Sequence, residues 1–133
     1  MSEDTCKHGH LWSEHAEFYM NRGKEYRRCA ECRRQRSVRD YRTKRDQCVE
    51  AYGRACAYCG EDRVEYLAFD HVNDDGKDHR YEEGSNRVSG PALLTWMIKN
   101  EYPASIQLLC HNCNHAKRVY GEEEARAIAN RDA

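Results

Sequence analysis

Residues 108–117 read LLCHNCNHAK, and this stretch decides how the chain can fold. Two cysteines stand there with two residues between them, the spacing at which neighbouring thiolates share one tetrahedral zinc ion. A second pair with the same spacing lies in CAYC at residues 56–59. Four thiolates fill the coordination sphere of one ion, and the alternative is two redox-active or free pairs. The predicted ligands of this structural zinc are Cys56, Cys59, Cys110 and Cys113.

A second structural zinc is predicted near the start of the chain. CKHGH at residues 6–10 and CAEC at residues 29–32 together offer three thiolates and a histidine. His10 is preferred over His8, because the glycine between them lets the chain reverse, whereas His8 lies next but one to the first cysteine. The predicted ligands are Cys6, His10, Cys29 and Cys32. The remaining thiol, Cys48, is predicted to be a small buried apolar side chain.

The composition explains why such staples are needed. Of the 133 residues, 39% are hydrophobic and 34% are charged, and a chain this short and polar buries too little apolar surface for core packing alone. The start, MSEDTCKHGH, lacks the basic-then-apolar pattern of a secretion signal. A cytoplasmic protein is therefore predicted, in a reducing compartment where thiols bind metal more often than they pair. No apolar run approaches membrane-spanning length, so no membrane role is predicted.

Charge is separated along the chain, although the formal net charge is −1. Residues 22–54 carry twelve Arg or Lys and five Asp or Glu. Residues 61–87 carry four Arg or Lys and nine Asp or Glu. A basic arm beside an acidic loop suits a protein that holds a polyanion with one part and metal cations with another. The alternative is a solvated charged face, but the one-sided excess favours contacts to the phosphates of double-stranded DNA. The residues predicted to make them are Arg33, Arg34, Arg36, Arg39, Arg42 and Lys44.

Local patterns predict a small α+β protein in three parts. Residues 1–32 form a zinc knuckle with a hairpin around the turn NRG, in which Trp12 and Tyr19 are predicted to be local core, with base stacking as the alternative. Residues 33–54 form a basic linker helix that Gly53 is placed to end. Residues 55–133 form a second domain that contains the four-cysteine zinc.

The third part is predicted to contain strands and helices that alternate around an irregular segment. Strands are predicted over residues 64–72 and 105–110, and an acidic segment rich in turn formers separates them. A helix with Pro91 in its first turn lies between, with Trp96 as local core. Further helices are predicted from His111 onward and in the tail.

Three polar residues of this part stand where strands and helix can meet. Asp70 and His71 end the first predicted strand, and Asn114 begins a helix directly after the last cysteine. If the four-cysteine zinc draws the two cysteine pairs together, these side chains can converge. The alternative is a simple turn at a strand end, where Asp is common.

This arrangement resembles the HNH endonucleases, which have the ββα-metal fold, and in particular their small zinc-containing bacteriophage members. The resemblance rests on CAYCG, FDHV, YP, QLLCHNCNHAK and the CKHGH to CAEC knuckle, which together cover nearly the whole chain. It implies that His71 is the general base and that Asp70 and Asn114 bind one catalytic Mg²⁺ or Mn²⁺. Where the family has its middle asparagine this sequence departs from it and has Ser105, so either the Ser105 hydroxyl or another group braces the loop that carries the base.

Other residues near this constellation are predicted to hold phosphate. Lys117, one helical turn beyond Asn114, and its neighbour Arg118 are placed for this. Arg80 is a further candidate, with a salt bridge inside the acidic loop as the alternative, and His79 is either a metal or phosphate ligand or a solvated loop residue. The pair His111 and His115 has a spacing that can bind metal but lacks a further ligand.

The resemblance implies a function and partners. It implies an endonuclease that hydrolyses double-stranded DNA in the cytoplasm of a phage-infected host, in DNA processing or in packaging beside a terminase. One alternative is a zinc-stabilised DNA-binding module without catalysis. The other is a protein-interaction module of the zinc-ribbon type.

Overall fold

The computed structural model describes residues 4–74 and 90–131, so His79 and Arg80 lie outside the described residues. The chain is α+β, as predicted from its sequence, and its described residues contain two small antiparallel sheets. It forms two compact units, which we call the N-terminal unit, residues 1–43, and the C-terminal unit, residues 44–133.

The N-terminal unit contains the predicted hairpin. A short helix α1, Trp12–His15, leads into β1, Ala16–Asn21, which pairs with β2, Lys24–Cys29. Both residues of the connecting turn, Arg22 and Gly23, have positive φ, 50° and 76°. Such a two-residue turn matches the twist of the strands it joins, so the hairpin prediction is confirmed.

Helix α2, Ala30–Ala51, is the basic helix, and it begins three residues earlier than predicted. It follows β2 without a linker, so Cys32 lies in its first turn. Gly53, at φ 90°, follows its end, in the left-handed region that favours glycine. Only Cys48 and Val49 are buried in this helix, which confirms the prediction for Cys48. The boundary between the two units falls inside α2.

The C-terminal unit starts its sheet later than predicted. Residues Val64–Tyr66 form a 3₁₀ turn rather than the start of a strand. The guanidinium of Arg45 donates to the carbonyls of Val64 and Leu67 at 2.8 and 2.7 Å, which holds this turn in place. The remaining elements are β3, Leu67–His71; α3, Pro91–Lys99; β4, Ile106–Cys110; α4, His111–Tyr120; and α5, Glu122–Ala129.

Strands β3 and β4 pair antiparallel, with Leu67 opposite Cys110 and Asp70 opposite Gln107. One cluster of buried side chains, around Leu67, Leu108 and Leu109, includes three cysteines of the four-cysteine group. A second cluster joins Cys48 to Leu94, Met97 and Ile106, with Trp96 packed against it as predicted. Among the helices of the described ranges, none combines the length and apolar character that crossing a bilayer requires.

Candidate metal centres and active site

The four cysteines of the C-terminal unit come together as predicted. The sulfur atoms of Cys56, Cys59, Cys110 and Cys113 all lie within 4.8 Å of one another, and those of Cys59 and Cys110 are 3.7 Å apart. Four sulfurs at about 2.3 Å from a common centre lie about 3.8 Å apart at tetrahedral angles, whereas a disulfide requires about 2.0 Å. All four thiols are free. The group could therefore hold one metal ion, with the geometry of a closed zinc site.

The predicted ligands of the N-terminal unit form a second such group, including His10. The sulfurs of Cys6 and Cys32 are 3.7 Å apart. The Nδ1 atom of His10 lies 3.3 to 3.5 Å from the three sulfurs. A nitrogen and a sulfur on one tetrahedral zinc are about 3.6 Å apart, so this group also fits zinc, with Nδ1 as the ligand atom.

The thiols of each group differ in acidity. Burial alone would raise the pKa of Cys6, but hydrogen bonds from the backbone N–H groups of His8 and His10 outweigh it and lower the pKa to about 6. In the other group, backbone N–H groups lower the pKa of Cys56 to about 7 in the same way. Burial and the neighbouring thiols raise the pKa of Cys32 to about 11. Each group thus offers one thiolate near neutral pH, which is the form that binds metal.

The two metal groups occupy the same place in the chain path of their units. Cys29 ends β2 and Cys32 lies in the first turn of α2, just as Cys110 ends β4 and Cys113 lies in the first turn of α4. In both strand pairs the first residue of the first strand lies opposite the cysteine that ends the second strand. Each unit therefore contains a strand–strand–helix element fastened at the strand-to-helix junction, which we call the zinc-stapled frame.

A buried ion pair connects the end of β3 to α4. The Nζ atom of Lys117 lies 2.7 Å from Oδ2 of Asp70, 2.6 Å from the carbonyl oxygen of His71 and 2.9 Å from Oδ1 of Asp74. Lys117 is 3% exposed and Asp70 is 9% exposed. Gln107 also donates to Oδ2 of Asp70, at 2.9 Å. The three protons of the ammonium group thus meet three acceptors, which is what burial of a lysine requires.

Asn114 lies on α4 one turn before Lys117. It is half-buried and lines a cavity of about 210 Å³ with His111, His115 and Arg118. The guanidinium of Arg118 and Nδ1 of His115 are 3.4 Å apart. The predicted pair of histidines thus shares a surface with Asn114, while Asp70 contacts the same helix one turn further along.

His71 is the last residue of β3 and is half-buried. Successive side chains in a strand leave opposite faces, so its imidazole starts from the other face of β3 than the Asp70 carboxylate, which points to α4. The backbone of Ser105 supports the residue after it, since the N–H of Val72 donates to the Ser105 carbonyl at 2.9 Å. The hydroxyl of Ser105 has no hydrogen bond within residues 4–74 and 90–131.

The residues predicted to contact DNA differ in whether their side chains already bind other groups of the protein. Arg33 donates twice to Glu17, and Arg34 donates twice to Glu31. Lys44 donates to Thr95 at 3.1 Å. The exposed side chains of Arg36, Arg39 and Arg42 form no hydrogen bond or ion pair within the described part of the chain.

Sequence reasoning missed several residues of these sites. Gln107 could have been found from the strand register, since it lies opposite Asp70. Asp74 follows the strand in an irregular stretch, where no sequence pattern indicated that it would contact Lys117. Tyr19 was predicted to be core, but it is 37% exposed and its ring contacts Tyr26 and Arg28 of the same hairpin.

Comparisons of the chain with models of known protein families, with curated proteins and with solved structures found no match. The function is therefore inferred from the side chains of this chain and the chemistry they allow. Two closed metal groups, a buried Asp–Lys pair beside a histidine, and a run of exposed arginines are the features that such an inference has to explain.

Proposed function

We propose that the C-terminal unit is a metal-dependent endonuclease of the HNH type that hydrolyses phosphodiester bonds of double-stranded DNA. One observation supports this most: the buried Asp70–Lys117 pair fixes a carboxylate at the end of β3 against α4, one turn from Asn114. The zinc-stapled frame determines where that helix begins. In this proposal the amide of Asn114 and the imidazole of His71 act beside that carboxylate.

The hydrogen bonds of Asp70 leave one of its oxygens for a metal ion. Both Gln107 and Lys117 donate to Oδ2, and Oδ1 has no partner among the described residues. Together with the amide oxygen of Asn114 this gives hard oxygen ligands, which favour Mg²⁺ or Mn²⁺. Such an ion, when bound, offsets the negative charge that develops on the phosphate and on the leaving 3′ oxygen.

The remaining chemistry falls to His71. Hydrolysis needs a base that removes a proton from the attacking water, and imidazole titrates near neutral pH. The proton moves from water to a ring nitrogen as the new P–O bond forms and the bond to the 3′ oxygen breaks. The buried Asp70–Lys117 pair helps to position His71, because the ammonium group of Lys117 also donates to the His71 carbonyl.

Lys117 is a positioning residue in this proposal. The phosphate contact predicted for it requires an exposed ammonium group, whereas its three donors already bind three acceptors inside the protein. Phosphate binding is therefore left to Arg118 and to the exposed arginines of α2. A role in phage DNA processing beside a terminase is proposed by resemblance alone.

A plasmid nicking assay tests the proposal. Supercoiled DNA is incubated with the pure protein and Mg²⁺ or Mn²⁺, and with the His71→Ala variant. We expect the variant to lose roughly a hundredfold or more in rate, the range that general bases contribute. The matched control is His8→Ala, which removes an exposed histidine that is not a ligand of either metal group. Equal nicking by the wild type and His71→Ala would remove His71 from the mechanism.

The ligand role of Asn114 has its own test. Asn114→His keeps a ligand atom and should retain metal-dependent nicking, whereas Asn114→Ala should require a higher Mn²⁺ concentration for half-maximal rate. Zinc content of both variants, measured in parallel, shows whether the neighbouring Cys113 still holds its ion. Unchanged Mn²⁺ dependence in Asn114→Ala would exclude Asn114 as a ligand.

The second candidate function, a zinc-stabilised DNA-binding module without catalysis, is favoured by two observations. The charge of Asp70 is compensated by Lys117 at 2.7 Å, and His71 leaves β3 on the other face. Such a module would bind duplex DNA with a strong salt dependence but would not nick it at any Mg²⁺ or Mn²⁺ concentration.

A further inference from the structure

We propose that the N-terminal unit binds a segment of single-stranded DNA in a cavity of its own. This cavity has a volume of about 540 Å³ and lies beside the sulfur atoms of the Cys6 metal group. A single ion fills only a small part of such a volume. The other side chains that line it are Lys7, Trp12, Tyr19, Arg28, Arg33 and Arg36.

The cavity occupies the position that the candidate active site has in the other zinc-stapled frame. Tyr19 is the fourth residue of β1, as Asp70 is of β3. Arg33 directly follows Cys32, as Asn114 follows Cys113, and Arg36 corresponds in the same way to Lys117. Where one frame has oxygen ligands for a cation, the other has a ring and guanidinium groups. The second set cannot bind a metal ion but suits an anion that carries flat rings.

Two residues of the lining, Tyr19 and Arg28, belong to a stack of planar groups. The rings of Tyr19 and Tyr26 are stacked at 5.6 Å between centroids, and the guanidinium carbon of Arg28 lies 4.9 Å from the Tyr19 centroid. Nucleobases stack on aromatic rings and on guanidinium planes alike. The Arg28 end of this stack therefore offers a surface for one base.

The charge of the lining is complementary to phosphate. None of its residues is acidic. Glu17 binds two of the arginines, Arg28 at 3.1 Å and Arg33 at 2.8 Å. Lys7 and Arg36 are exposed and form no ion pair within the part of the chain that the structure describes. These two cations are therefore available to the backbone of a bound strand.

The bound nucleic acid must be single-stranded to use both the stacking surface and the cations of the cavity. In a duplex each base is covered on both faces by its neighbours, so a stacking surface inside a cavity is reached only by a base outside a helix. An acidic peptide without aromatic side chains would satisfy the cations but has no ring for the stack. The choice of DNA over RNA rests on the proposed endonuclease function of the C-terminal unit.

Fluorescence anisotropy of the full chain tests this proposal. All proteins carry His71→Ala, and no Mg²⁺ is added, so the DNA stays intact. The probe is a labelled oligo-dT of about 12 nucleotides, within the site sizes of known single-strand binders. Arg28→Lys keeps the charge but loses the plane, and we expect its affinity to fall roughly fivefold or more. Arg36→Ala should weaken binding and reduce the salt slope by about one.

Lys24→Ala is the matched control, because it removes an exposed cation of the same hairpin that does not line the cavity. Zinc content confirms that each variant is folded. The proposal is overturned if Arg28→Lys binds oligo-dT as well as Lys24→Ala does. Equal or tighter binding of oligo-rU or of poly-glutamate would overturn it too, as would an Arg28→Lys variant that loses as much affinity for a duplex as for oligo-dT. Because anisotropy does not depend on nicking, this result is separate from the outcome of the plasmid assay.

Discussion

At the scale of single residues, Lys117 shows how a charged group is accommodated in a small core. A buried ammonium is stable only if its protons are bound, and here they bind Asp70, Asp74 and a backbone carbonyl. Taking one partner away leaves the other charge buried and uncompensated, which costs far more than the intact pair contributes.

Lys117→Met is therefore expected to lower the free energy of unfolding by about 3 kcal/mol. Urea unfolding, followed by circular dichroism at saturating zinc, measures this. Lys99→Met, which changes an exposed lysine of α3, should change it by about 0.5 kcal/mol or less. Combining Lys117→Met with Asp70→Asn should recover part of the loss, and a double variant as unstable as the sum of both would contradict the pairing.

The same pair has a pH dependence. Burial alone would lower the pKa of Lys117, but Asp70 and Asp74 outweigh it, and its pKa lies above the ordinary 10.5. A group whose pKa is raised in the native state stabilises the fold fully at pH values below its pKa in the unfolded chain. This stabilisation is lost as the pH rises through the native pKa. The difference in unfolding free energy between the wild type and Lys117→Met should stay constant from about pH 7 to about pH 10 and shrink above that. A difference that grows with pH would contradict the ion pair.

At the scale of elements, Arg45 connects α2 to the start of β3. Its guanidinium donates to the carbonyl of Val64, which begins the 3₁₀ turn, and to that of Leu67, which begins β3. Those two bonds set where the strand begins, and thus how far along it Asp70 lies.

Arg45→Met should destabilise the C-terminal unit by about 2 kcal/mol, since hydrogen bonds to charged groups contribute about 1.5 to 3 kcal/mol each and some are replaced by water. Arg42→Met, on the exposed part of the same helix, is the control. Hydrogen exchange of the Leu67 amide reports on the strand itself. If both variants unfold at the same urea concentration as the wild type, Arg45 does not hold the turn.

The elements also show how far sequence patterns reach. The hairpin, the helix after Pro91 and the helix after Cys110 were predictable, because turn residues and cysteine spacing mark their ends locally. The 3₁₀ turn at Val64–Tyr66 was not, because it depends on a guanidinium from nineteen residues earlier. Asp70 was found as a candidate, but its partner Lys117 was assigned to phosphate, since burial cannot be read from a charged residue alone.

At the scale of the whole molecule, each compact unit has its own metal group. In small domains of this kind, the free energy of metal binding is largely the free energy of folding. Loss of one ion should then unfold one unit while the other keeps its ligands.

Cys32→Ser and Cys113→Ser should each lower the zinc content from about two ions per chain to about one. Limited proteolysis should cut Cys32→Ser within residues 4–43 and Cys113→Ser within residues 44–131. Metal content is measured after dialysis against a weak chelator. If either substitution releases both ions, the two units do not fold separately.

The zinc-stapled frame occurs twice with different side chains at corresponding positions, Tyr19 and Arg36 in one, Asp70 and Lys117 in the other. In both frames the backbone is held by the metal ligands, which are cysteines and one histidine, and by the pairing of the strands. The side chains at corresponding positions can therefore differ between the two frames while the cysteine pair at the strand-to-helix junction and the antiparallel strand pairing stay the same. A scaffold of this kind can be present twice in one chain and receive a different ligand in each copy through substitutions at those positions alone.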